Sequence, residues 1–195
     1  MDNRMHKMVS VPSEKAVAAE RARLQYQKKF RRTLRTTVYA LVVVAAAAVL
    51  VATMFLPVLQ VSGSSMEPTL SDGDIIVLVK SGDFETGDLV GFYYQNKLLL
   101  KRVIAGPGDT VDIDKEGNVY VNEELIDEPY LAEKALGETD RDYPVQVPEG
   151  RYFVMGDNRT TSIDSRSSAI GYIETDQIVG KVVFRIWPLD RLSVL

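Results

Sequence analysis

Apolar residues run almost unbroken from Val38 to Leu56, and no charged residue occurs between Arg35 and Glu67. Nineteen residues at helical rise span roughly 30 Å, about one bilayer core. A helix buried in a soluble core would keep a polar face, and this stretch shows none, so the pattern predicts a transmembrane helix over 37–58. A cleaved signal peptide is the competing reading, supported by Ala-x-Ala-like triplets within Ala45–Ala52. Such an apolar region is only about 7 to 15 residues long and starts much nearer the first residue, which favours an uncleaved anchor. Upstream, Ser13 after Pro12 reads as a helix N-cap with Glu14 in the first turn. No Gly or Pro follows until Pro57, so one helix is expected to run from the tail, 1–36, into the apolar run.

Beyond residue 59 the period shortens to short β-rich runs punctuated by Gly and Asp. The runs are Ile75–Val79, Leu89–Tyr94, Leu98–Ile104, Thr110–Asp114, Asn118–Val121, Tyr152–Met155 and Lys181–Trp187. This part, 59–195, reads as a mainly antiparallel β domain. Asp112, Asp114, Glu116, Gly117 and Glu123 fit a calcium-loop template, but that loop needs flanking helices. Here the flanks are Gly106-Pro107-Gly108 and the alternating Val119 and Val121, so a β-hairpin turning at Glu116-Gly117-Asn118 is the better account. Asn158-Arg159-Thr160 fits a glycosylation sequon, and nothing else supports that reading.

Charge sharpens the division. Met1–Thr37 carries ten Lys/Arg against three Asp/Glu, and the remainder thirteen against twenty-four. The cluster Lys28, Lys29, Arg31, Arg32 and Arg35 should stay cytoplasmic, which places everything after Pro57 outside a cytoplasmic membrane crossed once. The basic helix face suits anionic lipid or simply sets topology. There is no cysteine, and the sole histidine, His6, precedes the apolar run. The outer part therefore has no Ser-His-Asp triad and no histidine or thiolate metal site. No cofactor, metal or nucleic-acid partner is expected.

A serine nucleophile without histidine needs another base, and lysine is the known substitute. Ser62-Gly63-Ser64-Ser65-Met66-Glu67-Pro68 offers hydroxyls just past the apolar run, although a solvated loop has the same composition. Lys101 lies within Leu98–Ile104, where strand alternation groups it with Leu99 and Val103 and sends Arg102 to the other face. A lysine of ordinary pKa is neutral only about 0.04% of the time at pH 7, and lowering that pKa to about 8 costs on the order of 3 kcal/mol of desolvation. The plain alternative leaves the amine in water at a strand end. A third stretch, Gly156–Arg166, has two carboxylates, two arginines and several small hydroxyls; it reads as a polar turn or as a hydrogen-bonded site wall. Asp164 and Arg166 are two apart and can pair.

Taken together these stretches resemble the bacterial type I signal peptidases, membrane-bound Ser/Lys endopeptidases. The matching residues are Gly63-x-Ser65-Met66-x-Pro68-Thr69-Leu70, then Gly87-Asp88-Leu89-Val90, then Lys101-Arg102-Val103-Ile104 with Gly106-Pro107-Gly108-Asp109, and finally Gly156-Asp157-Asn158-Arg159 with Ser162, Asp164, Ser165 and Arg166. They occur in the family's order over roughly Leu59–Phe184. The resemblance implies a twisted antiparallel β-sheet catalytic domain with a smaller inserted β subdomain at about 110–148. It implies Ser65 as nucleophile, Lys101 as general base, Ser162 as the hydroxyl orienting the lysine, and Asp164 with Arg166 as a supporting ion pair. Gly63, Ser65 and Met66 fall at the oxyanion and substrate-binding positions, with the Ser65 N–H as donor. Some relatives place a serine two residues before the nucleophile; Gly63 stands here, which leaves the second donor open. The implied partners are preprotein signal peptides with small residues before the cut, bound as an added strand, together with membrane lipid and the secretion machinery. A self-cleaving repressor-like Ser/Lys protease and an inactive membrane-tethered β binding domain are the alternatives. The first lacks its DNA-binding domain here, and the second is disfavoured by the presence of both Ser65 and Lys101.

Overall fold

The computed structural model describes residues 13–195, except the side chains of 52–55. His6, Pro12 and the rest of the tail's first twelve residues lie outside the described residues. The chain divides after Val51 into two units.

Helix α1 (Glu14–Phe55) makes up the described part of the first unit and runs four residues into the second. Its start follows the expected chemistry: the Ser13 carbonyl accepts the Val17 N–H, and the Ser13 hydroxyl accepts the Ala16 N–H at 3.4 Å. Leu41, Val42, Val43, Val44 and Val49 are each well over half exposed. Among the described residues α1 is the one helix long and apolar enough to cross a membrane. The expected boundary at 58 is corrected. Pro57 lacks an N–H and restricts Leu56, so α1 stops at Phe55 and Val58 already belongs to a strand.

The second unit holds two antiparallel sheets. The larger contains β1 (Val58–Gln60), β2 (Ile75–Val79), β3 (Leu89–Tyr94), β4 (Lys97–Ala105), β9 (Arg151–Met155), β10 (Ile173–Glu174), β11 (Ile178–Trp187) and β12 (Ser193–Val194). Its order is β1-β2-β11-β3-β4-β9-β10, with β12 on β11. The smaller, from β5 (Thr110–Ile113), β6 (Val119–Val121), β7 (Glu124–Leu125) and β8 (Val145–Gln146), has the order β7-β6-β5-β8. The turn at 114–118 joins β5 to β6, with the Gly117 N–H on the Asp114 carbonyl and the Asn118 N–H on Asp114 Oδ1 at 2.8 Å. That is the hairpin read from the sequence.

Local chemistry fixes the register that matters most. Gln95 and Asn96 both have positive φ, 44° and 63°, the two-residue turn whose twist suits a hairpin. It pairs Tyr94 with Lys97 and therefore Val90 with Lys101. Core residues sit in three groups. Val90, Phe92, Val103, Val154 and Ile173 pack in one. Ile104, Val111, Val119, Phe153 and Met155 fill a second, shared by the two sheets. Val61, Met66, Leu70, Ile76, Leu78 and Leu89 form a third beneath the Ser65 loop.

Candidate active site

The Ser65 loop is pinned at both ends before it is pinned in the middle. Val61 bonds to both Gly73 and Asp74 around it: the Val61 N–H donates to the Asp74 carbonyl, and the Gly73 N–H donates to the Val61 carbonyl. Met66 and Leu70 are buried, and the Leu70 N–H closes a helical turn on the Met66 carbonyl. Half-buried Ser65 is thus held above two core anchors, and its carbonyl accepts the Asn158 N–H at 3.0 Å. Among the described residues the Ser65 N–H has no acceptor. Gly63, at φ 91°, already gives its N–H to Asp72 Oδ1 at 2.8 Å, so it lines the cleft without a spare donor.

Lys101 is 4% exposed, and its Nζ lies 2.8 Å from Ser65 Oγ. Burial pushes the amine down from 10.5 to about 8; the Arg166 charge acts in the same direction, and Asp164 and Asp157 oppose it. At pH 7 about a tenth of such an amine is neutral, against well under a thousandth of an ordinary lysine. A neutral amine at this distance can take the serine proton as Oγ attacks a carbonyl carbon. The pair opens onto a cleft of about 210 Å³ between residues 59–66 and 98–101. β9 pairs with β4 only from Arg102 onward, so the 97–101 half of β4 keeps an unpaired edge beside Ser65.

Asp164 and Arg166 are both fully buried and form a bidentate pair, with Nε on Oδ1 and Nη2 on Oδ2, each at 2.8 Å. Burial alone would raise the Asp164 carboxyl, but Arg166 and the Gly156 N–H outweigh it and hold the group low. The expected bond between Ser162 and Lys101 is not formed: the Ser162 hydroxyl is buried and makes no hydrogen bond of ordinary geometry, although it lies near enough to the Asp164 carboxylate to help hold that group low. Ser162 is nevertheless close by. A side chain at Gly156 would collide with both the Ser162 hydroxyl and the Ser65 carbonyl.

Several residues here were given no role from the sequence. Arg102 points away from Lys101 and grips Asp157 through Nε (2.9 Å) and Nη2 (2.6 Å). Thr69 Oγ1 donates to the same carboxylate at 2.5 Å, and Arg102 Nη1 donates to the Gly87 carbonyl. Arg159 pairs with Glu128, both wholly buried, at 2.5 Å. At the far end of the loop, Arg185 and Arg191 converge on buried Asp74, and Arg185 also donates to the Thr69 carbonyl. Arg102, Asp157 and Arg159 stood within the motifs quoted above; Glu128, Asp74 and Arg185 carried no local signal.

A serine hydroxyl facing a desolvated lysine in a cleft beside a free strand edge is an arrangement that can support hydrolysis by a serine nucleophile. Residues 34–187 match the family model "Signal peptidase, peptidase S26". A signal peptidase I of Bacillus licheniformis is 38% identical over 83% of this chain and 93% of its own length. Signal peptidase I U of Bacillus subtilis is 34% identical over 85% and 94%. Signal peptidase IB of Staphylococcus aureus is 40% identical over 68% and 78%. A solved signal peptidase I from Enterococcus faecalis aligns with a TM-score of 0.44 at 28% identity, covering 51% of this chain and 96% of that one. The chain belongs to the signal peptidase family, peptidase S26, and is a serine endopeptidase.

Proposed function

We propose that the protein removes N-terminal signal peptides from exported preproteins, with Ser65 as nucleophile and Lys101 as general base. The observation that carries the assignment of roles is the 2.8 Å approach of a buried amine to the Ser65 hydroxyl at the head of a cleft. The signal peptide's last residues lie against the open edge of β4 as an added strand, and the apolar cleft admits small side chains before the cut. Ser65 Oγ forms the acyl bond as its proton passes to Lys101 Nζ. The protonated amine then gives that proton to the leaving nitrogen as the C–N bond breaks and the mature protein departs, and water, deprotonated by the same amine, hydrolyses the acyl bond and releases the signal peptide.

The Ser65 N–H, free of any partner, donates to the oxyanion. Asp164 and Arg166 brace the wall that carries Ser162, whose buried hydroxyl receives the amine once Ser65 is acylated. Residues 1–36 form a basic cytoplasmic tail, the apolar helix crosses the cytoplasmic membrane once, and 59–195 works outside, with a subdomain inserted at 110–148. Membrane lipid and the secretion machinery are its neighbours there. The test is to incubate a preprotein bearing Ala-x-Ala with the protein in detergent and map the products by mass. One cut after the second Ala, absent with Ser65→Ala, supports the reading; cutting by Ser65→Ala defeats it.

A further inference from the structure

The segment 126–144 joins β7 to β8 with almost no regular structure. A connection longer than about 15 residues without its own secondary structure is usually either disordered or functional. This one is tied down, and its ties go to one place. The Glu128 carboxylate is buried on the Arg159 guanidinium. Tyr130 donates its hydroxyl to Glu128 Oε1 at 2.9 Å while its ring lies 3.9 Å from Arg102 Cζ. The Leu136 carbonyl accepts Arg166 Nη1 at 2.7 Å, and the Thr139 hydroxyl donates to the Arg166 carbonyl at 3.0 Å. Gly137, at φ 67°, fits against the same two arginines so closely that a Cβ there would collide with the Arg159 carbonyl and the Arg166 guanidinium.

Each of the three buried arginines of the site therefore takes a contact from this segment. Arg102 follows Lys101 directly on β4. The charge of Arg166 acts on the Lys101 amine together with those of Asp164 and Asp157. Arg159 accepts Arg166 Nη1 on its carbonyl, which ties those two arginines together.

We propose that segment 128–139 is a strap in which Glu128, Tyr130 and Gly137 act as positioning residues for the Ser65–Lys101 pair, holding the three arginines in place and water out. An ordinary surface connection has no use for a carboxylate with no exposed atoms inside the catalytic half of the domain. The inference rests on the assignment of Ser65 and Lys101 to the chemistry. If the strap loosens, Arg166 draws away from the amine and water reaches it; both changes restore basicity to Lys101.

The experiment measures kcat, KM and the pH dependence of kcat/KM on a signal-peptide substrate for Glu128→Gln, Gly137→Ala, Tyr130→Leu and Tyr130→Phe. Near-UV circular dichroism gives the folded fraction of each. Glu128→Gln and Gly137→Ala are expected to lower kcat about 10- to 100-fold with KM little changed, the loss typical of a misplacement near 1 Å. Their pH midpoint should move upward. Tyr130→Phe, which keeps the ring over Arg102, should retain more activity than Tyr130→Leu. Folded variants with wild-type kcat and midpoint overturn the proposal, as does activity that falls only in step with the folded fraction. Ser65→Ala and Lys101→Met run alongside: if either stays active, the dyad assignment has failed instead.

Discussion

A lysine acts as a base only in its neutral form, so Lys101 carries a cost that the fold must cover. Its folded pKa of about 8 lies below the ordinary 10.5, so the native state sheds the proton first. The sign follows: stability rises as pH climbs from about 8 to 10.5, and below 8 the full penalty of burying the cation is present. At pH 7 that penalty is about 3 kcal/mol. Lys101→Met should therefore raise the melting temperature near neutral pH, flatten its pH dependence in that window, and abolish turnover. An unchanged melting curve would show that the amine carries no such penalty. Ser162 tests the opposite pattern. Its buried hydroxyl makes no well-formed hydrogen bond and approaches only the Asp164 carboxylate, so Ser162→Ala should melt within about 1 kcal/mol of wild type. Turnover should nevertheless drop well below wild type, with Ser162→Thr losing less. Full activity of the alanine variant would remove Ser162 from the site.

At the scale of elements, the β3–β4 hairpin decides where Lys101 points, because its turn sets the register in which Lys101 faces Val90. Asn tolerates the positive φ at 96, and a β-branched residue does not. Asn96→Val should cost about 1 to 2 kcal/mol in thermal or denaturant unfolding, and Asn96→Gly should be close to neutral. The Arg102–Asp157 pair joins β4 to the loop after β9. Asp157→Ala strands a mostly buried guanidinium, and a loss of about 3 to 5 kcal/mol is expected in the same measurement. The long strands were legible because alternation and Gly/Asp punctuation mark them: β2 and β3 fall on the residues read from the sequence, and β4, β9 and β11 gain only one to three residues at their ends. β1 was not, because Val58–Gln60 continues an apolar run and looks like the membrane helix until Pro57 is given its full weight. The two-residue strands β7, β8, β10 and β12 are too short to show a period. The arginine pairs between distant residues were illegible for a different reason: Arg102 and Asp157 are 55 residues apart, Arg159 and Glu128 are 31 apart, and charge alone reads as surface.

For the whole molecule, the proposed reading assigns location to the apolar helix and chemistry to the β unit. Removing residues 1–55 leaves β1 and the Ser65 loop within the remaining chain. The truncated protein should lose its association with sedimented or floated vesicles while keeping Ser65-dependent cleavage of a soluble peptide. Firm vesicle binding by the truncated chain would assign membrane attachment to the β unit. Of the residues singled out in the sequence, Ser65 touches Lys101 and Asp164 pairs with Arg166, whereas Ser162 does not bond to the lysine and the ties of segment 128–139 had no local signal. Motifs report the residues a reaction needs; they do not report which distant segment holds them still.

The central claim is that a neutral Lys101 activates Ser65, and the pH profile of kcat/KM on a signal-peptide substrate tests it most directly. Turnover should rise about tenfold per pH unit below pH 8, level off above it, and vanish across the whole range in Lys101→Met. A profile flat from pH 6 to 9, or near wild-type turnover in Lys101→Met, would contradict it.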